Sequence, residues 1–498
     1  MSLLKKIALN TIVHTVGKFG ASFIGIFIVA ILTRYLGVEG YGAYTTIFAY
    51  LFFFSILSDL GLYVISINEL GRNPFGEQKF FNNIFSLRFI SAAVFLMIAC
   101  SLVWLLPYSP DIQLGVIIAS VSIFLSLLDQ ILVSYFQNKI NLKTVAIAEI
   151  SGKLVLLGLT LTAVFFKASL MVILIAVVAG FLVNFLVNLG FIRKYIKIRF
   201  EFDIKVWRYI ITKSWPVGLT ALFSLIYFKA DTLFLSLMPA NPIYAASAEE
   251  AVGLYGAPYK ILEVLIAFPA IFMGLISPLL SRAWSQAGSI GDKENNEAKN
   301  KFNFIFQNAF DTLTIIIWPL IAGVVVLARP LIVLVAGSDF IASVAIFRIL
   351  ILATAIIFLS HLTTYTIIAL GKQKKMIKYY LAAAIMAVAG YIIFIPRYSY
   401  FAAAVVTVLV ELFMLLATFF LLKKYSSIKL NIKTFIKAML SAIFMGLALY
   451  YLSGFNVILL IAIGAIIYFL ALVLLKGIKV DFFKQFLKNN NKESLDRG

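Results

Sequence analysis

Apolar runs of about 20 residues recur along the whole chain, and that is the length an α-helix needs to cross the hydrocarbon core of a bilayer. Outer-membrane barrel strands alternate in polarity and run about 10 residues, so a barrel is excluded. Spans are expected near residues 11–36, 42–66, 84–106, 112–137, 144–166, 170–192, 212–237, 253–281, 303–327, 340–370, 377–395, 399–422, 434–453 and 456–475. Composition agrees. Of the 498 residues, 62% are hydrophobic and 13% charged, and the mean hydropathy is +1.02. That leaves too little polar surface for a water-soluble domain. The expected fold class is an all-α polytopic membrane protein of about fourteen transmembrane helices.

Basic residues sort the turns. With a cytoplasmic N-terminus, the turns on the far side hold Lys167, Arg329 and Arg397, against roughly thirty lysines and arginines in the near-side segments. This bias implies a multi-pass protein of the cell (cytoplasmic) membrane with both termini cytoplasmic. It accounts for most of the +20 net charge as topology, so no nucleic-acid partner is needed. The start, MSLLKKIALN, leads into a run too long for a signal-peptide core and reads as a retained cytoplasmic segment. Cys100 stands alone and the only histidines are His14 and His361, so neither a disulfide framework nor a metal site is expected.

The chain reads as duplicated. Gly40-Tyr41-Gly42-Ala43-Tyr44 follows the first span, and Gly253-Leu254-Tyr255-Gly256-Ala257-Pro258-Tyr259 follows the seventh. Asp111 opens span four and Asp339 opens span ten. Repeats of like orientation, six helices apart, imply two lobes about an axis along the membrane normal. The expected organisation is a six-helix lobe at 1–192, a basic linker at 193–211, a second six-helix lobe at 212–422, two further helices at 423–475 and a basic cytoplasmic tail at 476–498. The linker, RKYIKIRFEFDIKVWRYII, suits a basic amphipathic segment at the anionic inner leaflet.

Taken in order, KKIALNTIVHTVGKFG, LTRYLGVEGYGAY, SDLGL, SWPVGLTALFSLIYFKADTLFLSLM, VGLYGAPYKILEVL and SPLLSRAW resemble the polysaccharide-type, Wzx-like flippases of the multidrug/oligosaccharidyl-lipid/polysaccharide (MOP) exporter superfamily. The resemblance covers nearly the whole chain. It implies two MATE-like lobes around a V-shaped cavity, plus two extra C-terminal helices. It also implies a substrate: an oligosaccharide on a polyprenyl (pyro)phosphate, moved from the inner to the outer leaflet by alternating access, with glycosyltransferases or a polymerase of the same pathway as partners. Two sister groups are alternatives. Lipid II flippases carry a dense arginine constellation in the first helices, where this chain has Lys18 and Arg34. Multidrug exporters carry a proline and an acidic site in the first helix, and this first span has neither.

Ionisable groups inside a membrane are costly and mark a function or a pair. At about 1.5 Å per residue, Lys18 lies about 27 Å down span one and Asp59 about 25 Å down span two, so the two are expected to pair. Arg34 is expected as a structural cap at the outer interface near Glu39, with glycines 37, 40 and 42 allowing a sharp turn and close helix approach. In the second half, Lys229, Asp231, Lys260, Glu263 and Arg348 fall at one depth, roughly 10–16 Å below the outer surface. Their surplus cation wants an anion, and a lipid phosphate is one candidate. A closed network that includes Glu411 is the alternative. The candidate substrate-binding cations are Lys229, Lys260, Arg348 and Lys18. The gating or coupling candidates are Asp59, Asp231, Glu263, Asp311 and Glu411. Glu149 and Lys153, four apart on one helix face, read as a structural pair, and His361 reads as a hydrogen-bonded packing residue.

No cofactor is expected, and coupling to H+ or Na+ is left open. A polytopic glycosyltransferase or ligase is the rival class. It needs a sizeable outer loop for catalytic acids, yet the longest outer loop, about 239–252, has only Glu249 and Glu250 as charged groups. No catalytic residue is therefore assigned, and without a Gly-Lys-Ser/Thr run there is no phosphate loop.

Overall fold

The computed structural model describes residues 3–139, 141–287, 296–426, 428 and 430–477, so the expected basic tail lies almost entirely outside the described residues. Among those residues the regular elements are helical: α1 (Leu3–Asp59), α2 (Leu62–Glu69), α3 (Glu77–Leu102), α4 (Pro110–Asn138), α5 (Leu142–Phe165), α6 (Leu170–Ile192), α7 (Ile204–Leu237), α8 (Ala248–Ala287), α9 (Asn296–Val335), α10 (Ser343–Ala369), α11 (Ile377–Tyr425), α12 (Lys433–Tyr451) and α13 (Val457–Leu474). Eleven helices of the described residues are long and apolar enough to cross a membrane.

Two of these are double. α1 breaks at Gly37 (φ 68, ψ −173), a conformation open to glycine without the Cβ clash that other residues meet there. α11 breaks at Ser399 (φ 48, ψ −134), three residues after Pro396. Proline removes a helical N–H and crowds the preceding turn, so the chain reverses just beyond it. With both halves of each counted and the 34-residue α7 added, the helices match the fourteen spans expected from the sequence. Side chains such as Phe165, Tyr451 and Leu474 are more than 80% exposed, as suits a protein whose outer solvent is lipid.

The chain forms two compact units, one of Met1–Leu265, Ile332–Leu350 and Lys374–Met414, the other of Ile266–Leu331, Ile351–Gln373 and Leu415–Gly498. In the first, Ile47, Tyr50, Leu51 and Phe54 of α1 pack with Ala92 and Leu96 of α3, Ile112 and Val116 of α4, and Leu174 of α6. Tyr50 buries its hydroxyl there by donating to the Ala99 carbonyl at 2.8 Å. In the second, Leu327 of α9 packs with Ala438, Ala442 and Met445 of α12 and with Leu460 and Tyr468 of α13.

The linker has no helix from Ile196 to Asp203, and helix resumes only at α7. The reason lies in α3, whose polar edge takes up alternate linker amides. Lys197 N–H donates to Gln78 Oε1 at 3.2 Å, Arg199 N–H to Asn82 Oδ1 at 3.2 Å, Glu201 N–H to Ser86 Oγ at 2.9 Å and Asp203 N–H to Asn83 Oδ1 at 2.8 Å. Asn82 Nδ2 returns a bond to the Glu201 carboxylate at 2.8 Å. Lys79, 2.6 Å from Asp203, and the Lys205 backbone N–H hold the Asp203 carboxyl below the usual carboxylate range. A carboxyl lowered on folding adds stability above its unfolded value, near 4, and that contribution is lost as pH falls through the lowered value. Asn82→Ala with Asn83→Ala should free the linker: hydrogen exchange of amides 197–203 should speed up by at least about tenfold at neutral pH, with α3 itself protected as before.

Candidate functional site

Three charged side chains come together where α7 passes α8. Glu263 accepts from Lys229 Nζ at 2.9 Å through Oε1 and from Lys260 Nζ at 2.6 Å through Oε2. The i,i+3 spacing puts Lys260 and Glu263 on one face of α8. Lys229 is held over the Tyr259 ring, 4.4 Å from its centroid, and the Tyr259 hydroxyl is fixed by donating to the Phe228 carbonyl at 2.9 Å.

The first half of the chain extends this group. Lys153 of α5 lies within electrostatic reach of Lys260, Glu263 and Glu149, and Glu149 lies within reach of Lys18 on α1. A polar band results, with four cations (Lys18, Lys153, Lys229 and Lys260) and two accessible carboxylates (Glu149 and Glu263). The Glu149–Lys153 pair, read from sequence as structural, thus belongs to the band. Lys260 and Lys18 are exposed, and Lys229 and Lys153 are partly so.

Asp231 is set apart by its burial. It sits only two residues from Lys229 but is wholly buried, and it accepts from Tyr255 Oη at 2.5 Å and from Thr232 N at 2.6 Å and Oγ1 at 3.2 Å. Arg348, on α10, is exposed. Glu411 is buried, within electrostatic reach of Tyr227, Tyr259 and Tyr391. Asp311 accepts from Gln307 Nε2 at 2.8 Å in the other compact unit. His361 has its Nδ1 2.9 Å from the Ile357 carbonyl, the packing role expected of it.

The pairing of Asp59 with Lys18 is corrected. Asp59 Oδ1 is 2.6 Å from Arg88 Nη1, and Arg88 is fully buried. The guanidinium also donates to the Leu127 carbonyl at 3.0 Å and to Gln130 Oε1 at 2.5 Å. Asp59 in turn accepts from the backbone N–H groups of Gly61 and Tyr63, each at 3.2 Å, and so fixes the start of α2. Matching depth made Lys18 a partner; the packing of α3 on α1 supplies the nearer cation.

Arg34 is a cap, as expected. Its Nη2 donates to the Val333 and Leu334 carbonyls at 3.0 and 2.8 Å, satisfying the C-terminal end of α9. Glu39 accepts from Ser247 Oγ at 3.0 Å. The two glycine motifs meet directly. A Cβ on Gly42 would lie 1.7 Å from the Glu249 carbonyl oxygen, and one on Gly253 would lie 2.1 Å from that of Val38. Their small size is what lets these backbones touch.

This bundle of apolar helices, with its partly exposed charged band, is similar in fold to solved transporters of the MOP superfamily. It is similar to the lipid II flippase MurJ in an inward closed conformation, with 16% identity, coverage of 96% of this chain and 100% of that one, and a TM-score of 0.73. It is also similar to an inward-facing multidrug resistance MATE family transporter (13% identity, 83% and 98% coverage, TM-score 0.64) and to a MOP superfamily transporter from Pyrococcus furiosus (12%, 84% and 96%, 0.57). Residues 7–284, more than half of the chain, match the polysaccharide biosynthesis protein family, and the chain belongs to that family. No curated protein matches it. The Wzx-like resemblance seen in the sequence motifs is thus borne out.

Proposed function

We propose that this protein is a flippase that carries an oligosaccharide on a polyprenyl (pyro)phosphate from the inner to the outer leaflet for cell-surface polysaccharide synthesis. The observation that carries the reading is the cationic band, in which Lys229 and Lys260 share one carboxylate, Glu263, and Lys18 and Lys153 lie within electrostatic reach of another, Glu149. Even with Asp231, which lies within electrostatic reach of Lys229, three carboxylates do not neutralise four ammonium groups, and an anionic phosphate headgroup supplies the balance. The same surplus repels cationic drugs, which argues against a multidrug exporter.

In this reading the lobes at 1–192 and 212–422 rock about the site by alternating access, and the prenyl tail stays in lipid. The protein sits in the cytoplasmic membrane with both termini inside. Coupling uses H+ or Na+, with Asp231, Glu411 and Asp311 as candidate groups. Glycosyltransferases or a polymerase of the same pathway supply and consume the cargo.

Lys229→Gln and Lys260→Gln should each weaken binding of a prenyl pyrophosphate by roughly 10- to 100-fold, the worth of one charge-assisted contact. Lysine-to-arginine should retain most of the binding, and protein abundance should be unchanged. Binding by purified variants in nanodiscs, alongside flipping of a fluorescent prenyl-linked glycan in liposomes, tests this. Unchanged binding in both glutamine variants would rule out the phosphate role.

A further inference from the structure

The seam between α4 and α6 holds a carboxyl group that neither the ion pairs nor the lysine band uses. Asp129 is 8% exposed, and Asn188 is wholly buried. Asn188 Nδ2 donates to Asp129 Oδ1 at 2.8 Å and lies 3.4 Å from Asn184 Oδ1. The other half of the same amide is orphaned: Asn188 Oδ1 is buried with no hydrogen-bond partner. Buried side-chain acceptors are seldom left so.

Among the described residues, the groups around Asp129 offer no cation. From α5, Glu149 is the charged side chain within its electrostatic reach, and Glu149 is itself served by Lys18 of α1 and Lys153. From α2, the Tyr63 phenol is within reach of Asp129 and is hydrogen-bonded to Gln137. From α3, Arg88 touches α4 at Leu127 and Gln130, but its charge is committed to Asp59 of α1. An ionised Asp129 would therefore be a buried anion with one side-chain donor and a second anion nearby.

A carboxylate only accepts, and so does Asn188 Oδ1. The orphan oxygen belongs to the amide that already bonds Asp129, and a proton on Asp129 gives it a donor. The acid O–H donates to the amide oxygen while the amide N–H donates to the acid carbonyl, the reciprocal pairing of a carboxylic acid with a primary amide. The same proton removes the repulsion with Glu149. We propose that Asp129 and Asn188 form a proton-binding site in which Asp129 is a neutral acid while the α4–α6 seam is closed. The site does not depend on which cargo is carried; only its use in coupling, by release of the proton when water reaches the seam, rests on the transporter reading.

Infrared spectroscopy of the purified protein in sodium-free lipid nanodiscs tests the site without any transport assay. At neutral pH the Asp129→Asn variant should lack one protonated-carboxyl C=O band that the parent shows. It should also melt at the parent's temperature, because asparagine mimics the neutral acid. Asn188→Leu keeps the acid but removes the N–H from its carbonyl, so the band should remain and move to higher frequency; this variant serves if Asp129→Asn fails to fold. Identical carboxyl spectra for the parent and both variants would overturn the proposal. So would loss of the band on adding sodium chloride, which would make the site a sodium site.

Discussion

Asp59→Asn should remove most of the folded protein from the membrane. It leaves the Arg88 guanidinium, fully buried, with carbonyl acceptors but no counter-charge. Stranding one member of a buried pair costs about 3–5 kcal/mol, a large part of the roughly 5–15 kcal/mol that holds a domain folded. Arg88→Met should do less harm. Asp59 remains partly exposed and keeps the N–H groups of Gly61 and Tyr63, so it stays solvated and bonded. The double variant should recover at least half of the loss caused by Asp59→Asn alone, because the apolar side chain suits the site once the acid is gone. Lys18→Met, the control for the depth-based pairing, should leave abundance and melting temperature near the parent's. Abundance in membranes and thermal unfolding in detergent complete the cycle. Strictly additive losses would show that Asp59 and Arg88 act independently.

Gly42→Ala should break the contact between the two glycine motifs. Its new methyl group would lie 1.7 Å from a backbone oxygen, that of Glu249, and backbone cannot step aside as a flexible side chain can. Overpacking of this kind costs about 1–3 kcal/mol, which lowers the population of the closed contact by roughly 5- to 150-fold. Gly25→Ala is the matched control, since a Cβ there meets nothing within 4 Å. Glu39 and Ser247, joined by a hydrogen bond across the same contact, are the reporter positions. Cysteines at both should cross-link readily in the parent and in Gly25→Ala, and poorly in Gly42→Ala. Equal cross-linking in all three would show that α1 and α8 do not need this approach. In the proposed reading the contact closes one side of the transport path, so Gly42→Ala should also abolish flipping while leaving abundance intact.

The helices themselves were legible in the sequence, and so were their number, order and breaks. A span is set by a local quantity, the run of side chains that lipid tolerates, and a break is set by local backbone chemistry at Gly37 and at Pro396 to Ser399. The pairing of Lys260 with Glu263 follows from the same kind of local geometry, since three residues on one helix return to the same face. Family membership followed from motif order, which is also a property of the chain. The partners of most charged groups were not legible. Depth along a helix is one coordinate, whereas contact also needs the direction around the axis, and only packing sets that. Lys229 and Asp231 share a depth, yet two residues turn a helix by about 200°. One side chain therefore joins Glu263 and the other is buried against Tyr255. Asp59 and Lys18 share a depth too, but α3 brings Arg88 to Asp59 first. The helix-free linker went unread because its amides are held by Gln78, Asn82, Asn83 and Ser86, more than a hundred residues away. The orphan oxygen of Asn188 is likewise invisible in a string of letters, because an unmet hydrogen bond exists only once tertiary structure has excluded both water and every other donor.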